Sequence, residues 1–498
     1  MSLTPVAPRS HAASQRSMAV TALLGAFTLL LSHPAGASEP NDRGTGERGT
    51  AHSDPGRVAD TVLAALAEAN GVPGMAASVW KNGELVWAGE TGFRDAENRL
   101  PVERDTVFRL ASVSKIFAVV AAARLREQGR LDVDRPVQTS LDYLDNGWPP
   151  ITTRQLAAHL SGIPHYQEVD QGRGVRRFGS VEESVGVFSD RDLLSAPGTK
   201  YSYSSYGYTL LSAVVERAAG KPYLDYLAAE IVPGLRIGPD STDRTPKASK
   251  AYFYDAGQLV AAPAHDYSYS WGGAGLGATA TDLARFGGRL LSDAVITEAS
   301  FDWMLEPARL PDGSIVIDDD FPVGFGLRGG ADMDGERIAH HAGATLGARS
   351  ILLLYPDREI AVSLLSNAPW VSEPEQTAIT LSAPFREPRG DRVSHPCPVS
   401  ATRYDGSYRD LPLSGSAHFT VENGICIGTI SIDGAIADWF NGAPQKDAAS
   451  LKIIGLDGDG GLAPAALVTP YGAFDLRPDA GRYVTRFNST RSLSVNFH

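Results

Sequence analysis

Phe108-Arg-Leu-Ala-Ser112-Val-Ser-Lys115-Ile-Phe117 reads as a helix that opens on a nucleophile. Leu110, Ile116, Val119, Val120 and Leu125 form an apolar run that predicts a buried helix. Ser112 and Lys115 stand three apart, so they share one face, one turn from each other. A serine hydroxyl is a poor nucleophile until a base takes its proton, and a lysine is such a base only when neutral. Burial disfavours the charged amine, and the apolar run around Lys115 supplies that burial.

Ser-x-x-Lys occurs a second time, at Ser78-Val-Trp-Lys81. That copy lies in Met75-Ala-Ala-Ser-Val-Trp-Lys-Asn-Gly-Glu-Leu-Val-Trp87, which reads as two strands around an Asn82-Gly83 turn. Residues three apart on a strand point to opposite faces, so Ser78 and Lys81 do not cooperate.

Working outward, 498 residues suffice for two or three domains, and 43% hydrophobic with 21% charged residues is a globular composition. A net charge of -13 repels phosphate backbones and argues against nucleic acid as a partner. No acid precedes Glu39; Arg9 and Arg16 lead into an apolar stretch from Met18 to Leu31, then Pro34-Ala-Gly-Ala37. This predicts a signal peptide over 1–37, cut after Ala37, with no stable membrane span afterwards and a periplasmic or extracellular destination; the alternative is an uncleaved anchor. Residues 38–56 carry no apolar run and read as a disordered linker. Residues 57–388 read as one domain, with about 130–270 its mostly helical part.

Within it, Ile151 to Gly162 reads as a helix stopped by Gly162 and Pro164, with His159 and His165 as packed or capping histidines. Tyr166 to Phe188 is Gly- and Arg-rich and reads as a mobile loop. Tyr201-Ser-Tyr-Ser-Ser-Tyr-Gly-Tyr208 precedes a helix from Thr209 to Ala219. Gly272 to Gly277 lacks a preceding strand and a Lys-Ser/Thr ending, so it is not a nucleotide loop. The helix after it has Thr281 or Asp282 as its cap. His340-His341-Ala-Gly343-Ala344, Ser350 to Pro356 and Ile360 to Asn367 read as a strand meander.

From Arg389 the chain becomes short strands and turns, at Asp405-Gly406, Asn423-Gly424 and Asp433-Gly434, which predicts a small antiparallel β-domain over 389–498. Cys397 and Cys426 fit either a bridge or two buried thiols. No metal-ligand spacing is present.

Ser112 with Lys115, then Tyr203, then His341-Ala-Gly343 stand in chain order. The set resembles the serine β-lactamase and penicillin-binding-protein superfamily, whose signatures are Ser-x-x-Lys, Ser-x-Asn or Tyr-x-Asn, and Lys-Thr-Gly. It is most similar to the class C β-lactamase-like branch, with family VIII esterases, D-amino-acid peptidases and the mitochondrial serine β-lactamase-like protein. Phe108 to Lys115, Ile151 to Tyr166, Pro197 to Gly220, Gly273 to Phe286 and His341 to Asn367 carry the likeness, and Tyr404-Asp-Gly-Ser-Tyr408 resembles the entry of a C-terminal β-domain in some members.

The resemblance implies an α/β (α+β) fold: an antiparallel sheet flanked by helices, an all-α subdomain and a small C-terminal antiparallel β-domain. It implies Ser112 as nucleophile, Lys115 as its activator and Tyr203 as proton shuttle. Backbone N–H groups of Ser112 and Ala344 would hold the oxyanion, and Ser205, His341 and Gly343 would bind substrate. Ser205 stands where the motif has Asn, and His341 stands where it has Lys, so the fixed cation for a substrate carboxylate is gone near neutral pH. No Gly-x-Ser-x-Gly is present, which excludes the α/β-hydrolase elbow. The expected function is an exported serine hydrolase acting through an acyl-enzyme on an ester, a D-Ala-type peptide or a small amide, with weak or no β-lactamase activity. The alternative, motivated by Ser205 and His341, is a catalytically inactive cell-wall binding or scaffold protein. The expected partner is a small-molecule or peptide substrate, cell-wall peptide among the candidates, and no cofactor is implied.

Overall fold

The computed structural model describes residues 54–498 apart from 145–146, 168–169, 171–172, 241–244, 256, 387–394, 409–410, 433–449 and 489–490. The leader expected over 1–37, the linker as far as residue 53 and the Asp433-Gly434 turn lie outside the described residues. Helix α1 (Pro55–Asn70) begins ahead of its first apolar residue, Val58, because the Asp54 side chain accepts the Gly56 N–H and Pro55 fits the first turn. The linker expected through Gly56 therefore stops short of it.

A seven-stranded antiparallel sheet positions the site. Its strands are β1 (Gly74–Lys81), β2 (Glu84–Asp95), β3 (Leu100–Pro101), β4 (Arg328–Ala331), β5 (Arg337–Thr345), β6 (Ala348–Tyr355) and β7 (Ile360–Ser366). Their spatial order is β4-β5-β6-β7-β1-β2-β3. The N-terminal hairpin thus adds to the late meander, with Ser78 opposite both Ala88 and Ser363. Period-2 alternation gives the sheet two buried faces. Met75, Ala77 and Val79 pack with Val58, Val62 and Leu66 of α1. Ala76 faces the other way, toward Phe117 and Val120 of helix α2 (Ser114–Glu127). Ser78 and Lys81 part as expected: Ser78 Oγ lies 3.5 Å from Thr281 Oγ1, whereas Lys81 Nζ donates to Phe385 O at 3.0 Å.

Helix α2 is buried on every side; Ile116, Phe117, Val119, Val120 and Leu125 are all fully covered. Each such side chain contributes about 1.5–3 kcal/mol of burial, so the helix anchors the core, and the polar groups of its first turn, Ser114 and Lys115, are dry. The helical part differs from expectation at several ends. Helix α3 covers only Thr153–Ala157, because His159 takes a left-handed φ of 58°. Helix α4 (Val181–Val185), capped by Ser180, packs within the stretch expected to be a mobile loop, and Phe178 and Phe188 are buried there. Helix α5 (Ser205–Ala219) starts before Thr209 because Ser204 caps it, accepting the Gly207 N–H at 2.9 Å. Helix α6 (Ala280–Leu291) is capped by Thr279 rather than by Thr281 or Asp282. Short strands also occur in this part, among them Ile237–Pro239 and the hairpin of Tyr252–Asp255 with Gln258–Ala261.

Eight strands between Arg403 and Phe497 close into an antiparallel barrel. Closure leaves no unpaired strand edge. Tyr404, Leu413, Phe419, Ile453, Phe474 and Val495 fill one core, while Ile454, Leu456, Ala466 and Val468 join the core formed with α1 and helix α7 (Pro374–Ser382). Asn423-Gly424 is a turn with φ of 51° and 81°. Asp405-Gly406 is not a turn but lies inside the strand Arg403–Tyr408, where a Cβ on Gly406 would stand 1.9 Å from Ser494 O. Among the described residues, no helix is long and apolar enough to cross a membrane.

Cys397 and Cys426 are bonded, tying the segment before the barrel to the strand Ile425–Ser431 across a sequence separation of 29. Cys397→Ser should therefore lower the unfolding free energy by about 3–4 kcal/mol on loop-closure grounds. Urea unfolding with and without reductant checks this; identical midpoints would show that the bridge stabilises nothing.

Candidate active site

Ser112 sits in a 3₁₀ turn, Ala111–Val113, immediately ahead of α2, rather than on the helix proper. Ala111 has a φ of 45°, a left-handed backbone that costs a residue with a Cβ of order 1–3 kcal/mol. Two anchors hold the turn. Before it, Phe108 and Arg109 pair with Ala278 and Gly277, and the Arg109 guanidinium meets Asp240 at 2.9 Å with both side chains almost fully buried. Beside it runs β5: a Cβ on Gly343 would lie 2.5 Å from Leu110 O and 2.9 Å from the Ser112 backbone nitrogen. Only glycine lets the strand pass that close.

The three side chains expected to cooperate come together. Lys115 Nζ stands 3.1 Å from Ser112 Oγ, 2.9 Å from Ser205 Oγ and 2.7 Å from Gly273 O. Tyr203 OH donates to Ser112 Oγ at 2.8 Å. The Lys115 amine is fully buried, and burial, with the Arg328 cation second, holds it well below the ordinary lysine range. The Tyr203 and Tyr208 rings lie 4.8 and 5.3 Å from the amine and favour a cation. That attraction reaches about 2 kcal/mol, against several kcal/mol for desolvating an ammonium with no ion-pair partner, so the neutral amine prevails. A neutral amine has two donors and one lone pair. Donating to Gly273 O and Ser205 Oγ leaves the lone pair for the Ser112 hydroxyl. Burial pushes the Tyr203 phenol up to about 12, against the Ser112 hydrogen bond and the Arg328 cation, so it keeps its proton.

The expected packed histidines hold the tyrosine loop. His159 Nδ1 accepts the Ser204 N–H at 3.1 Å, and His165 Nδ1 accepts the Ser205 N–H at 3.2 Å. Ser205 and His341 stand behind the cleft wall rather than on it. Both are buried; Ser205 turns its hydroxyl to Lys115, and His341 Nδ1 lies 2.7 Å from Ala342 O. A carbonyl only accepts, so Nδ1 carries the proton. Burial, then the Arg328 charge, keeps this ring neutral.

Ser112, Tyr203, His165, Gly343 and Ala344 line a cleft of about 810 Å³, and Arg328 and Arg486 of the barrel line it too. The Arg328 Nε donates to Asp318 at 2.8 Å.

A family model described as Beta-lactamase matches residues 59–383. This chain belongs to the beta-lactamase family. Within that family it is similar to the serine beta-lactamase-like protein LACTB, mitochondrial, of Homo sapiens, 27% identical over 64% of this chain and 78% of that protein. It is also similar to a D-aminopeptidase of Gluconobacter oxydans, 26% identical over 64% of this chain and 60% of that one. Its fold is like that of the octameric penicillin-binding protein homologue from Pyrococcus abyssi, with a TM-score of 0.55 and 19% identity over 89% of this chain and 100% of that chain. This beta-lactamase-family chain is a serine hydrolase with a mixed α/β fold and a C-terminal barrel.

Sequence reading missed two partners in this family member's site. Gly273 contributes a backbone oxygen, and its only signal is the glycine run itself: a Cβ there would stand 2.7 Å from Ser205 O. Arg328 has no local signal, because it reaches the cleft from the neighbouring strand, opposite His340. Gly343→Ala should cut turnover at least about tenfold by pushing β5 off the Ser112 turn. Steady-state kinetics beside a melting curve checks this; unchanged turnover in a folded variant would show that the close approach does not matter.

Proposed function

We propose that this chain is an exported serine hydrolase that works through an acyl-enzyme on Ser112. The observation that carries the reading is the single hydroxyl of Ser112 shared between the Lys115 amine at 3.1 Å and the Tyr203 phenol at 2.8 Å. Ser112 Oγ attacks the substrate carbonyl carbon and its proton passes to Lys115 Nζ. Backbone N–H groups of Ser112 and Ala344 hold the oxyanion, with Gly343 keeping the strand close; losing one such donor costs about 10²–10³ in rate. The departing oxygen or nitrogen takes the Tyr203 proton. In deacylation a water gives its proton to the Tyr203 phenolate and attacks the acyl carbon, and Ser112 leaves with the proton held on Lys115.

The substrate class is an ester, a D-Ala-type peptide or a small amide. The D-aminopeptidase likeness supports a peptide or amide. Weak or absent β-lactamase activity is supported by the motif position of the missing lysine, where His341 is buried and uncharged. Ser205 then acts on Lys115 rather than on substrate. Export is supported by the acid-free leader and by the Cys397–Cys426 bridge. In this reading residues 57–388 are the hydrolase domain and 389–498 a separate β-domain.

Ser112→Ala should abolish labelling by a fluorophosphonate probe, detected by intact mass; a retained adduct overturns the reading. Lys115 must be neutral and Tyr203 protonated, so kcat/KM should rise with pH through a Lys115 pKa far below 10.5 and fall only as pH approaches the Tyr203 value of about 12. A rate that climbs all the way to the ordinary lysine pKa would refute Lys115 as the neutral resting base.

A further inference from the structure

The motif lysine that His341 replaces is a fixed cation beside the reacting groups, and its loss leaves a question of what supplies that field here. We propose that Arg328 is a positioning residue that takes over this charge from the neighbouring strand, with Asp318 as its anchor. The inference rests on Ser112, Lys115 and Tyr203 being the reacting set.

The geometry is specific. Arg328 opens β4 and lies in register opposite His340 on β5, next to His341. Its side chain is only 14% exposed and lines the same cleft as Ser112 and Tyr203. Both Nε and a terminal nitrogen of the guanidinium engage one carboxylate oxygen of Asp318, from the short strand Ile317–Asp318, which fixes its orientation. A guanidinium keeps its charge at any pH the enzyme meets, so it is a permanent source where a histidine is not.

The titratable groups that feel its charge come from several elements, Tyr208 of α5 among them. Lys115 comes from α2, Tyr201 and Tyr203 from the segment before α5, His159 from the turn after α3, His340 and His341 from β5, and Glu375 from α7. The Arg328 charge disfavours protonation at Lys115, His159, His340 and His341 and favours ionisation at Tyr203. Burial alone pushes Lys115 and Tyr203 in opposite directions; it lowers the amine and raises the phenol. A fixed cation is the one influence that lowers both, keeping Lys115 deprotonated at rest and helping Tyr203 give its proton up. At Tyr201 the order reverses, with Asp318 acting ahead of Arg328. The carboxylate thus weighs most at a tyrosine outside the reacting set.

The test is the pH dependence of kcat/KM on a nitrophenyl ester for Arg328→Gln, Arg328→Lys and Asp318→Asn in the full chain, with melting curves. Removing the cation raises the Lys115 pKa, so Arg328→Gln should move the acidic limb up by roughly half to one pH unit. Arg328→Lys should restore the native limb. Asp318→Asn removes the opposing charge and should move the limb down. If Arg328→Gln does not fold, the downward shift in Asp318→Asn decides. Limbs that stay in place in folded variants, or that move the same way in Arg328→Gln and Asp318→Asn, overturn the proposal, as does a lower rate with an unmoved limb. If Ser112→Ala still turns over the ester, the underlying reading fails instead, and the two failures are distinct.

Discussion

Lys115 brings an amine into a place shut off from water, and among the described residues no ion pair holds it there. Much of the site follows from that constraint. A charged amine in such a place costs several kcal/mol, so it stays neutral and offers a lone pair. Gly273 O and Ser205 Oγ take its two N–H groups, which leaves the lone pair directed at Ser112. The surrounding core makes this possible: from Ile116 to Ala123 α2 is apolar on every face, so its one lysine is enclosed by the same residues that hold the sheet and the helical part together.

The second constraint is how closely three separate chain segments approach. The Ser112 turn, the strand carrying Gly343 and the loop carrying Tyr203 meet within hydrogen-bonding distance. Each approach has its own local device. The left-handed Ala111 turns the chain ahead of Ser112, the missing Cβ at Gly343 admits the strand, and the ring nitrogens of His159 and His165 hold the Tyr203 loop by its backbone. The site is therefore made as much of backbone geometry as of reactive side chains, which is what preorganised catalysis needs.

The barrel is bound to this assembly through an apolar seam and a buried ionic cluster. Arg386 meets Asp332 at 2.7 Å and Asp475 of the barrel at 3.9 Å, and Arg477 of the barrel meets Asp334. The Arg386 guanidinium, Asp332 and Asp475 are nearly covered, so removing one partner would leave a buried charge uncompensated. Through Arg486 the barrel also reaches the cleft wall. The barrel thus helps to shape the space in which a substrate would lie.

Several features were legible in the chain itself, because they depend on neighbours in sequence. The Ser112–Lys115 spacing, the Asn82-Gly83 hairpin, the meander from His341 to Asn367 and the turn at Asn423-Gly424 are local patterns with local causes. Where helices begin was misjudged at Ser205 and Thr279, because a cap is chosen by a side chain folding back rather than by apolar periodicity. The ending of α3 was misjudged because His159 is bent by its contact with a loop forty-five residues on. The sequence by itself determined which residues could do the chemistry and which segments would be apolar enough to bury them. Only the tertiary structure decided that the amine is neutral, that a carbonyl at Gly273 receives it, that Cys397 finds Cys426, and that Arg328 lines the same cleft as Ser112 and Tyr203. Proton state and long-range charge depend on what packs from across the fold, and no local pattern records that.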